Sequence, residues 1–117
     1  SFNSRDFESA LSRFDSFNQF YPQSINVAES YYWLGKANVE LLEFKDAATN
    51  FLESFSRDPV GIFAWKSLLG LANSLGELGQ MEQGCLTLVE LKSRFPGKAR
   101  ENWDQILIVE DQLKCSP

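Results

Sequence analysis

Three prolines, Pro22, Pro59 and Pro96, stand 37 residues apart. Other positions keep the same step. Ala10, Ala47 and Gly84 share a register, as do Phe7, Phe44 and Met81, then Phe14, Phe51 and Leu88, and Leu34 with Leu71. Four series in a common register mark a structural repeat rather than chance. A period of about 20–50 residues belongs to chains whose units cannot bury their apolar faces alone and must stack.

Within a unit, apolar residues recur at helical spacing. Phe7, Ala10, Leu11, Phe14 and Phe17 predict a helix near 4–20, capped by Asn3 or Ser4. Further helices are expected near 26–42, 44–57, 60–77 and 81–94. The turn Glu77-Leu78-Gly79-Gln80 calls for a positive φ at Gly79. After Phe95-Pro96-Gly97, an amphipathic segment near 98–113 has the character of a capping helix. The expected organisation is a single domain over 1–117. It holds a partial repeat at 4–22, repeats at 26–59 and 60–96, and a cap at 98–113.

The order Tyr31-Tyr32-Trp33-Leu34-Gly35-Lys36-Ala37, a short turn, Phe44-Lys45-Asp46-Ala47-Ala48, Phe51 and Pro59 resembles a tetratricopeptide repeat. The fold class implied is all-α: a right-handed α-α superhelix of about two and a half repeats plus a capping helix. First helices line the concave face of such a solenoid. The 37-residue register places Glu29, Tyr32, Lys36 and Val39 there, with Tyr31 as a core position. The next unit contributes Lys66, Leu69 and Asn73, and the cap contributes Trp103 and Ile106. This mixture of aromatic, aliphatic and charged groups suits a groove for a peptide. The other reading is an ordinary half-buried surface.

Chemistry is constrained by what is missing. The chain has no histidine, which removes the commonest general base and zinc ligand. No glycine-rich phosphate loop occurs. Carboxylate pairs such as Glu40 with Glu43 read as solvated helix faces. No catalytic residue, cofactor site or metal site is expected. A net charge of −5, with only 11 scattered basic residues, disfavours nucleic acid. The longest aliphatic run, Ile106–Val109, cannot span a bilayer. Starting at Ser1 without an initiator methionine, the chain reads as an excised domain or mature fragment.

Cys85 faces a neighbouring helix in the repeat register, and Cys115 follows the capping helix. An antiparallel return at Pro96-Gly97 brings the two ends together. The expected disulfide is therefore Cys85–Cys115. The alternative is a buried apolar Cys85 with a free thiol at Cys115.

Beyond the repeat itself, Tyr31-Tyr32-Trp33-Leu34-Gly35, then Ser67-Leu68-Leu69-Gly70-Leu71-Ala72-Asn73-Ser74-Leu75-Gly76-Glu77-Leu78-Gly79-Gln80, then Gly84-Cys85-Leu86-Thr87-Leu88 resemble one particular family. It is the C-terminal repeat domain of the YbgF/CpoB family, accessory proteins of the Tol-Pal system. Arg94-Phe95-Pro96 and the terminal cysteine are similar to its α-proteobacterial members. Asn38 and Gly84 depart from that pattern, where an aromatic residue and alanine are usual. The resemblance implies a periplasmic, non-catalytic interaction module that binds TolA. It also implies a link between outer-membrane constriction and the peptidoglycan synthesis machinery in cell division. An N-terminal coiled coil would make the intact protein trimeric. An alternative is a scaffold of another envelope assembly, of the outer-membrane protein assembly lipoprotein type.

Overall fold

The computed structural model describes residues 27–115, and the expected partial repeat at 4–22 lies outside them. Six helices follow one another: α1 (Val27–Glu40), α2 (Phe44–Arg57), α3 (Ala64–Glu77), α4 (Met81–Arg94), α5 (Pro96–Glu101) and α6 (Trp103–Leu113). No strand occurs among the described residues. Each helix packs on the next along α1 to α4, while α1 also touches α3 and α3 touches α6. The first helices α1, α3 and α6 thus stand side by side. The structure is an all-α helical repeat of the tetratricopeptide type.

The repeat is visible in backbone hydrogen bonds. At the end of α1, Glu43 N–H donates to the Asn38 carbonyl (2.8 Å) and Leu42 N–H to Val39 (3.0 Å). At the end of α3, Gln80 N–H donates to Leu75 (2.8 Å) and Gly79 N–H to Gly76 (3.0 Å). These are the same paired bonds, closing a helix end through a left-handed residue. That residue is Leu42 (φ 60°), then Gly79 (φ 80°), then Lys114 (φ 56°) at the end of α6. The step is 37 residues from the first to the second and 35 from the second to the third.

Two boundaries differ from expectation. Helix α3 begins at Ala64 rather than near 60, because Pro59–Phe63 forms turns, with Gly61 N–H on Asp58 and Ala64 N–H on Gly61. The capping segment is two helices, not one. Pro96 opens α5 at a position where its missing N–H costs nothing. The segment then breaks at Asn102, whose side chain donates to the Lys98 carbonyl at 2.9 Å. Such side-chain bonds compete with regular helix.

The core is built on close approaches. Phe51 of α2 is 1% exposed and packs with Tyr32, Ala47 and Leu71. A Cβ added at Gly35 would stand 2.7 Å from its ring, and one added at Gly70 would stand 2.6 Å from it. The ring is wedged between α1 and α3 because neither has a side chain there. One repeat later, Leu88 takes the place of Phe51 and Ala72 that of Gly35, and both are buried. The smaller knob accommodates the extra methyl. Tyr32, not Tyr31, is the core tyrosine; Tyr31 is half-buried beneath the Arg57 guanidinium. Helix α1 is flanked by both α2 and α3, so more of its circumference is buried than a single stripe would require.

Polar groups cross the same layers. Ser54 donates to the Ala28 carbonyl (2.6 Å) and accepts from Ser67 (2.9 Å), which links α1, α2 and α3. Asn50 donates to the Asn38 side chain at 2.7 Å.

Gly35→Ala is expected to cost about 1–3 kcal/mol through overpacking, even though alanine favours a helix by up to about 1 kcal/mol. In Gly35→Ala/Phe51→Leu, which copies the Ala72–Leu88 pair, the loss should fall about 1 kcal/mol short of the sum of the single losses. Additive losses in urea melts would refute the wedge. Leu42 is 75% exposed and sits in a conformation that costs an L-residue about 1–2 kcal/mol. Leu42→Gly is expected to stabilise by about 0.5–1 kcal/mol after the entropy of glycine is subtracted. A lower thermal midpoint in that variant would contradict the strain.

Candidate functional site

Along the row of first helices runs an open trough of about 670 Å³. Helix α1 lines it with Tyr32, Lys36 and Val39. Helix α3 forms the floor with Trp65, Lys66, Leu69, Gly70 and Asn73, and Phe51 shows through from beneath. Asn102, just ahead of α6, and Gln105, Ile108, Val109 and Gln112 of α6 supply the far wall. A smaller hollow of about 240 Å³ continues from Asn73 and Gln112 to Glu77 and Met81.

The trough follows from the packing. With no side chain at Gly70, the floor dips to the Phe51 ring, which both holds the core and lines the bottom. Tyr32 presents one edge while its ring packs on Phe51 (5.9 Å between centroids) and Phe63 (5.2 Å). Burial pushes its phenol above the ordinary value of 10.0, so the group stays neutral. The Lys66 ammonium lies over the Phe63 and Trp65 rings, at 5.4 and 5.9 Å from their centroids. Cation–π attraction holds a cation in place without neutralising it.

Six residues expected on the concave face line this trough: Tyr32, Lys36, Val39, Lys66, Leu69 and Asn73. Three do not. Glu29 accepts the Trp33 indole N–H at 3.2 Å and stands outside the lining. Trp103 lies under the Lys92 ammonium (5.3 Å), and Lys92 also pairs with Glu110. Ile106 is fully buried with Leu68, Leu91 and Ala99. The cause is register. A constant step of 37 maps Lys66 and Leu69 onto Trp103 and Ile106, but the third unit ends two residues early. A step of 35 maps Gly70 onto Gln105 and Asn73 onto Ile108, and both line the trough. The signal that could have located them is the shortened spacing between Gly79 and the end of the last helix.

The α6 wall has its own fastenings. Leu113 is 2% exposed and fills the space left by two glycines. A Cβ on Gly76 would come within 2.4 Å of it, and one on Gly84 within 2.9 Å. Cys85 and Cys115 are joined in a disulfide that spans 30 residues and ties the end of α6 to α4. Among the described residues no group of side chains could hold a metal ion, and no helix is long and apolar enough to cross a membrane.

Residues 66–98, from α3 into α5, match the tetratricopeptide repeat family. No curated protein matches the chain. Such repeats typically serve as protein-interaction modules, in keeping with a trough whose surface offers apolar contact and amide hydrogen bonds.

Removing the cross-link in Cys85→Ser/Cys115→Ser is expected to lower stability by about 3–4 kcal/mol in the chain-entropy treatment. Hydrogen exchange should then quicken most in α6, with α1 and α2 least affected. Uniform acceleration across all the helices would show that α6 is not a separately fastened wall.

Proposed function

We propose that this domain is a non-catalytic peptide-binding module of the Tol-Pal envelope system, working in the periplasm and engaging TolA. The observation that carries the binding part is the trough. Three neighbouring first helices leave an open channel with an apolar floor (Leu69, Gly70, Phe51) and an amide-rich wall on the α6 side (Asn102, Gln105, Gln112). Helices already packed in place add little ordering cost when a segment settles between them. The envelope assignment draws on the family resemblance of the sequence. The disulfide supports it, because such bonds persist in oxidising compartments. On this reading a coiled coil ahead of the domain would make the intact protein a trimer. TolA binding would coordinate outer-membrane constriction with the peptidoglycan synthesis machinery during division.

The test uses the periplasmic part of TolA on a sensor surface. Ile108 is 59% exposed and lines the trough, so Ile108→Arg obstructs the channel without touching the core. Binding is expected to fall more than about tenfold, with the helical circular dichroism unchanged. Trp103→Ala, outside the trough, should bind like the wild type. Equal binding by Ile108→Arg would reject the trough as the site. Failure of the wild type to bind TolA would reject the Tol-Pal assignment.

A further inference from the structure

The trough differs in charge from the molecule around it. The chain carries a net charge of −5, yet among the described residues the only charged ones in the lining are Lys36 and Lys66. Both are exposed, and neither is ion-paired among the described residues. Several other basic side chains are ion-paired outside the lining: Lys92 with Glu110, Arg94 with Glu90 and Lys98 with Glu101. The first acidic group along the channel is Glu77, in the smaller hollow past Asn73.

From this we infer that the trough takes an acidic, partly apolar peptide segment, its carboxylates meeting Lys36 and Lys66 and an aliphatic or aromatic side chain seated against Leu69 and Ile108. The inference rests on the peptide-binding reading above and specifies the chemistry of the peptide. Charge magnitudes favour it. At physiological ionic strength, charges farther than about 8 Å are largely screened. Acidic residues beyond that distance repel an incoming segment only weakly, while the two lysines act on it at contact distance. Walls on either side thin the water around a seated carboxylate and strengthen each pairing above that of an open surface. Asn73, Gln105 and Gln112 can bond peptide amides without regard to charge, so among the described lining residues only the lysines discriminate by charge. Glu77 at the far end disfavours carboxylates there and fixes the direction of the segment. A nucleic acid is a poor occupant, since two lysines neutralise too few phosphates.

The experiment selects a displayed library of random dodecapeptides on the oxidised domain at physiological salt. Sequences enriched on the wild type should carry an excess of Asp and Glu beside aliphatic or aromatic residues. Selection on Lys36→Glu/Lys66→Glu should shift enrichment towards Lys and Arg. The wild-type peptides should bind that variant at least about tenfold more weakly, with its circular dichroism unchanged. Enriched peptides without acidic excess, or retained equally by the double variant, would overturn the inference and leave the trough as a binding site. Peptides that bind Ile108→Glu as well as wild type would overturn the trough reading itself, and this inference with it.

Discussion

The wedge of the Phe51 ring between Gly35 and Gly70 governs this molecule. Two first helices approach closely because each lacks a side chain at that point, and the ring of the second helix fills what remains. One contact therefore sets three things at once. It fixes the spacing of α1 and α3. It buries the largest of the fully buried side chains among the described residues. It also leaves a dip in the α3 surface, which is the floor of the trough. The second unit solves the same problem with a smaller knob and a methyl group, Leu88 against Ala72. Interiors packed to crystalline density feel a change of one methylene, so ring and glycine vary as a pair.

Much of this was legible in the residues. The proline spacing and the small positions Ala47 and Gly84 mark where helices cross. The boundaries of α2 and α4 follow from aromatic-x-x-Ala spacing and its counterpart at Met81. What misled was the assumption of a constant period. The third unit reaches its left-handed residue two positions early. On a helix that turns 3.6 residues per cycle, a slip of two rotates the exposed face by about half a turn. Ile106 thereby passes from the expected groove into the core, and Ile108 from no assigned role to the wall of the trough. The Tyr31–Tyr32 reversal has another origin. One helix in isolation shows one apolar stripe, whereas α1 meets two neighbours, and no local pattern reveals the second.

Buried polar groups add a constraint that apolar packing lacks. Leucine and phenylalanine tolerate small slides, because dispersion is non-directional. The chain from Ser67 through Ser54 to the Ala28 carbonyl does not. A shift of α1 by one turn would leave the Ser54 hydroxyl without its acceptor in a dry interior, at about 1–3 kcal/mol. Asn38 stands where the resembled family has an aromatic residue, and Asn50 answers it across the α1–α2 interface. Ser74 is the contrast: it is fully buried, and its hydroxyl has no partner among the described residues. Ala37 holds the equivalent place one unit earlier, so the fold itself does not require a hydroxyl there.

The two walls of the trough are held by different means. The α1 wall rests on the aromatic contacts of Tyr32 with Phe51 and Phe63 and on the buried serines, all of them between the start of α1 and the end of α3. The α6 wall rests on Ile106, Val109 and Leu113 seated against α3 and α4. At its end stands the cross-link to Cys85. Leu113 fits only because Gly76 and Gly84 are bare, and Cys115 lies two residues beyond it. The disulfide therefore confines the end of α6 beside a contact that has little tolerance of its own. Moving α1 would break the wedge that the rest of the fold is packed around, so the width of the trough is held from both sides.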